Sequence, residues 1–109
     1  MLKIYKSLNN SIKHIENIEK DCWLNMINPT DEEIAHVVDK TKISKDLIIK
    51  LRDEEEVPRI EIDGNSTLIV LDCPYYEKNN NHYATYPLGI IINKDYILTI
   101  SSRKQEVKK

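Results

Sequence analysis

The sequence predicts an α+β domain in which two helices pack on a mixed β-sheet, in the order strands, helices, strands. Two windows carry apolar residues at helical spacing, Ile34, Val37 and Val38 in one and Leu47, Ile48 and Leu51 in the other. The segments on either side alternate between apolar and polar residues or run apolar over a short length, the two patterns of strands. The 109 residues, 40% hydrophobic and 31% charged, suffice for one core. With no repeat, low-complexity tract or Pro/Gly-rich linker, a single domain over residues 1–109 is expected.

From the N-terminus, Leu2, Ile4 and Leu8 mark a strand, Asn9-Asn10 a turn, and Ser11 to Ile15 a second strand with Ile12 and His14 on one face, together a hairpin. Cys22 to Ile27 is an almost continuous apolar run, expected as an interior strand in which Trp23 anchors the core. Thr30 starts a helix, because its hydroxyl accepts from free backbone N–H groups while Glu33 reaches back to close a capping box. Asp31 and Glu32 reinforce that start through the macrodipole. Ser44 is the next capping candidate, and the helix it opens should end near Asp53-Glu54-Glu55-Glu56, since Pro58 forbids extension.

Beyond Pro58 the period drops to two, with Ile60 and Ile62 opposite Glu61 and Asp63, and Asp63-Gly64 signals a turn. Leu68 to Leu71 reads as a buried strand ending at Pro74, followed by a polar loop tip over residues 77–81. His82 to Tyr86 reads as a strand stopping at Pro87, and Leu88 to Ile92 as one in the middle of the sheet. After a turn at Asn93-Lys94-Asp95, Tyr96 to Ile100 closes the sheet.

The formal charge of -2 and pI near 5.9 give no positive field for a phosphate backbone, so nucleic acid is not an expected partner. The cluster Arg103, Lys104, Lys108 and Lys109 reads as a solvated end. Cys22 and Cys73 lie in apolar stretches as small buried hydrophobes, with no CxxC, which favours a reducing cytoplasm. The opening Met1 to Lys6 alternates like a strand and lacks the apolar centre of a secretory leader. No apolar stretch approaches the roughly 18 residues of a spanning helix.

Chemistry has no evident home. His14, His36 and His82 are dispersed, without metal-ligand spacing, and neither cysteine sits at an exposed helix N-terminus. Gly64 and Gly89 are too few for a phosphate cradle. The run Asp53-Glu54-Glu55-Glu56 offers carboxylates to a hard cation, but consecutive side chains diverge, so it reads as solvated surface. No catalytic, cofactor-binding or metal-ligating residue is assigned, and the chain is not expected to be an enzyme.

Several segments carry a resemblance. Cys22-Trp23-Leu24-Asn25, then Asn28-Pro29-Thr30-Asp31-Glu32-Glu33-Ile34, resembles the tryptophan strand and helix start of CorA-like magnesium and cobalt transporters. Asp53 to Glu61 is similar to the family's acidic segment leading into its Pro-Arg/Lys strand, and Pro87 to Ile91 with Leu98 to Ile100 is similar to its last two strands. The match covers most of residues 1–103 in the family's order.

The resemblance implies a three-layer α/β/α fold and a soluble regulatory and assembly domain at the cytoplasmic face of the membrane. It also implies a homopentameric parent, with stalk and membrane helices downstream that this sequence does not contain. The pore-mouth Gly-Met-Asn motif is absent, so the chain is not expected to conduct ions. Mg²⁺ or another divalent ion is the ligand the family suggests. Yet where relatives pair acidic residues on the second helix, this chain has Ile49 and Lys50, and an ammonium cannot ligate a cation. Without the downstream helices one sheet face should stand uncovered and favour self-association. The competing reading is a stand-alone interaction module with only architectural similarity to the family.

Overall fold

Among the described residues nine elements follow one another in the expected order of strands, two helices, then strands. They are β1 (Leu2–Leu8), β2 (Ser11–Ile15), β3 (Cys22–Ile27), α1 (Asp31–Thr41), α2 (Lys45–Asp53), β4 (Arg59–Asp63), β5 (Ser66–Glu77), β6 (His82–Ile92) and β7 (Tyr96–Ser101). The structure is a computed structural model and describes residues 1–53 and 57–101. The acidic run beyond Asp53 and the C-terminal basic cluster therefore lie outside the described residues.

The seven strands form one sheet in the order β2-β1-β3-β7-β6-β5-β4. Every neighbouring pair is antiparallel except β3 and β7, which run parallel at the centre. Short turns build the two flanks. Asn9 and Asn10 take φ of 50° and 64° in the two-residue β1–β2 turn, a conformation asparagine tolerates better than other side chains. Gly64, at φ 60°, opens the β4–β5 turn with only open space where a Cβ would stand.

The core forms where paired residues line up across the sheet. Ile4, Leu24, Leu98, Ile91 and Leu68 are register partners in sequence across five strands, and all are buried. Met26, Ile100, Gly89 and Val70 form the next row. Over these rows α1 lays Ile34 and Val37, and α2 lays Ile48 and Leu51. Gly89 is required there, because a Cβ at this position would stand 2.8 Å from both Cδ atoms of Leu51 and 3.0 Å from Ile100 Cγ2.

The ends of α1 are closed as the sequence predicts. Glu33 N–H donates to Thr30 Oγ1 at 3.1 Å, and Thr30 N–H donates to Glu33 Oε1 at 2.9 Å. At the other end Lys42 enters the left-handed region and its N–H reaches Val38 O at 2.9 Å. Thr41, buried, donates its hydroxyl to Val37 O at 2.7 Å and accepts from Ile43 N–H at 3.2 Å.

The α+β class, the mixed sheet and the strand–helix–strand order are as expected. Of the three layers the resemblance implies, the described residues contain two, the sheet and one layer of helices. Two further expectations need correction. Trp23 does not anchor the core between sheet and helices: Cys22, Leu24 and Met26 face the helices, so the alternation of β3 turns Trp23 and Asn25 to the other side.

Pro74 and Pro87 also do not end strands. β5 and β6 run unbroken through them and continue together as far as the pair Glu77–His82. The reason lies in pairing: β4 leaves β5 at Val70, and β7 leaves β6 at Leu88. Both prolines therefore sit in a two-stranded arm whose outer edges carry no ladder among the described residues, where a missing N–H is tolerated.

Candidate functional site

The face of the sheet turned away from the helices is the most distinctive surface. One row of register partners there reads Tyr5, Trp23, Ile97, Ile92, Thr67 and Ile62. The adjoining row reads Lys3, Asn25, Thr99, Ile90, Ile69 and Ile60. Lys3 is the sole charged residue in the two rows. Among the described residues no helix lies over this face. Its large aliphatic side chains are correspondingly open, Ile97 at 45% and Ile62 at 80% exposure.

An aromatic cluster and a hydrogen-bonded relay occupy the middle. The Tyr5 ring lies 4.9 Å from that of Trp23 at a 30° tilt, and meets the edge of His14 at 5.7 Å. Trp23 Nε1–H donates to Thr99 Oγ1 at 2.9 Å, and the Thr99 hydroxyl donates to Asn25 Oδ1 at 3.0 Å. The relay ends on the Asn25 amide, whose Nδ2 hydrogens have no acceptor among the described residues. A shallow cavity of about 610 Å³ opens over Tyr5, Trp23, Ile90, Ile97 and Thr99.

The titratable residues considered from sequence are not brought together. His14 stands against Tyr5, His36 is exposed on α1, and His82 sits at the arm, Nε2 3.5 Å from Glu77 Oε2. Cys22 is buried in β3, whereas Cys73 lies in the two-stranded arm and is half-buried. On α2, Ile49 is half-buried against the core and Lys50 is exposed. Among the described residues no three His, Cys, Asp or Glu side chains converge in a way that holds a metal ion. No described helix is long and apolar enough to cross a membrane.

Sequence reasoning missed Thr99 and Tyr5 as partners of Trp23, and missed the tyrosine arm. The signal for the first was present in the two-residue period, which puts Trp23 and Asn25 on one face and Leu24 on the other. The arm pairs Tyr76 with Tyr83 at 5.1 Å and sets Tyr75 5.9 Å from Tyr86.

Residues 19–108 match the family model described as CorA-like Mg²⁺ transporter protein. The chain belongs to the CorA family. It is 40% identical over 83 residues to the cobalt/magnesium transport protein CorA of Methanocaldococcus jannaschii, a match covering 75% of this chain and 25% of that protein. This CorA-family chain also superposes on the solved soluble domain of CorA from the same organism, with a TM-score of 0.74, 31% identity, and 95% of this chain against 41% of that one. Against the complete M. jannaschii CorA magnesium transporter the TM-score is 0.73 at 30% identity, covering 95% of this chain and 33% of the transporter. The chain thus spans about a quarter of the length of its curated CorA relative.

Proposed function

We propose that this chain is the cytosolic regulatory and assembly domain of a CorA-type divalent-cation transporter for Mg²⁺ or Co²⁺. It does not itself conduct ions, it works at the cytoplasmic face of the membrane, and its parent assembles as a homo-oligomer. The observation that carries this reading is the superposition on a soluble CorA domain over 95% of the chain.

In this role the domain acts through association. If neighbouring copies pack differently with and without a divalent ion, the ion's differential affinity for the two arrangements biases a gate elsewhere. Lys50, exposed on α2, offers no lone pair to a cation, so any ion is held by other groups. Titrating MgCl₂ into the full 109-residue chain, with thermal melting and sedimentation as readouts, tests the reading. A raised melting temperature or a change in sedimentation is expected, reversed by chelation. Neither changing at saturating Mg²⁺ overturns a sensing role.

A further inference from the structure

We propose that the tip of the β5–β6 arm is a binding site for a divalent transition-metal ion of the Zn²⁺ class, ligated by Glu77 and His82 with solvent completing the shell. The inference rests on the arm alone and does not depend on the transporter reading.

The fold brings the two ligands together. Glu77 and His82 are register partners, the last pair of the β5–β6 ladder, joined by a turn in which Asn81 takes φ of 54°. Residues directly opposite on an antiparallel pair project to one face, so a carboxylate and an imidazole stand side by side there. His82 Nε2 lies 3.5 Å from Glu77 Oε2. That gap is wider than a direct N–H···O bond prefers. It is close to the separation of about 3.4 Å between two ligands that each lie about 2.1 Å from one tetrahedral ion.

Both ligands are held as a metal needs them. Asn80 O lies 3.3 Å from His82 Nδ1, and since a carbonyl oxygen only accepts, Nδ1 carries the hydrogen. The neutral ring therefore keeps its lone pair on Nε2, the nitrogen on the Glu77 side. Donation from the far ring nitrogen to a backbone carbonyl is what orients metal-binding histidines. The carboxylate is fixed as well, because Oε1 accepts from the Tyr75 hydroxyl at 2.9 Å and Oε2 from Asn80 Nδ2 at 2.9 Å. Its plane is thus set before an ion arrives. Both side chains reach solvent, His82 at 53% and Glu77 at 30% exposure, so an ion has a path in.

The donor set chooses the ion. Imidazole nitrogen suits Zn²⁺, Co²⁺ and Ni²⁺, whereas Mg²⁺ demands octahedral oxygen ligands and gives up its waters reluctantly. One carboxylate beside one imidazole, with the Lys78 ammonium next in sequence, does not meet that demand.

The test titrates ZnCl₂, from micromolar to millimolar, into the full ¹⁵N-labelled chain and reads the ring nitrogens of its three histidines. A saturable shift of His82 Nε2 is expected, with His14 and His36 unmoved and MgCl₂ without effect at the same concentrations. Glu77→Gln should weaken Zn²⁺ more than about tenfold, read from the His82 shift, while the far-UV spectrum and melting stay as in the unsubstituted chain. Cys73→Ser, in the same arm, should leave the affinity unchanged, and calorimetry of His82→Asn should show the heat of binding gone. His82 nitrogens that stay unmoved at millimolar Zn²⁺ overturn the proposal, as does a shift that begins at His14 or His36. An affinity that survives Glu77→Gln, or is lost in Cys73→Ser, overturns it as well.

Discussion

The Trp23 indole N–H donates to Thr99 Oγ1 at 2.9 Å, a diagonal bond across the parallel β3–β7 pair. Register places Trp23 beside Ile97 and Asn25 beside Thr99, so the bond locks the single parallel ladder from its helix-free side. Thr99→Val keeps the volume and removes the hydroxyl, stranding both the indole N–H and Asn25 Oδ1. A loss of about 1 kcal/mol is expected in urea unfolding, with a changed Trp23 emission maximum in the folded state. An unaltered midpoint and spectrum would show that the relay contributes nothing.

Gly89 lies under Leu51, and the space it leaves is what lets α2 rest on the sheet. In Gly89→Ala both Leu51 methyls and one Ile100 methyl must move, overpacking that costs about 1–3 kcal/mol. Combining it with Leu51→Ala should recover part of the loss, because the clash disappears. A double-mutant cycle reads the coupling, and strict additivity would contradict the close approach.

Glu33 links three segments. Its Oε1 accepts from Thr30 N–H at 2.9 Å and from the Met1 α-amino group at 3.1 Å, and that amine also donates to Ile27 O at 2.7 Å. Partial burial pushes the Glu33 carboxyl upward, but the hydrogen bonds from Thr30 and the terminal amine, with the amine's charge, outweigh it and hold the carboxyl below its usual range. A group depressed in the folded state adds stability above its unfolded pKa, near 4.3, and loses it as pH falls through the folded value. Glu33→Gln should therefore lower stability at neutral pH and flatten the decline seen in acid melts below about pH 4.5. A parallel decline in both proteins would contradict this.

Thr30 holds the other half of the capping box. Thr30→Ala should cost about 1 kcal/mol in chemical denaturation, and Thr30→Ser should restore most of it. Equal stability of the alanine and serine variants would show that the cap is idle.

Ile48 is fully buried and is the apolar centre of α2. Ile48→Ala should cost about 2–5 kcal/mol through lost transfer and a residual cavity. A loss below about 1 kcal/mol would mean that α2 does not seal the core.

Much of this fold was legible because its elements carry local signals. The Thr30–Glu33 box, the Ile34–Val37 stripe and the Asn9-Asn10 turn are each fixed within a few residues, and all three stand where their chemistry places them. What escaped depends on partners distant in sequence. Whether Pro74 ends a strand is decided by where β4 stops pairing, and the face Trp23 takes is decided by which side of β3 the helices choose. The Trp23–Thr99 bond joins residues 76 positions apart, so no local pattern announces it.

The account rests on two helices covering one face of the sheet while Trp23 looks out from the other. Nuclear Overhauser spectra of the labelled chain, read from the Trp23 indole proton, test that most directly. Cross-peaks to the Thr99 and Ile97 methyls are expected, and none to Ile34, Val37 or Ile48. Cross-peaks from the indole to the side chains of α1 or α2 would contradict it.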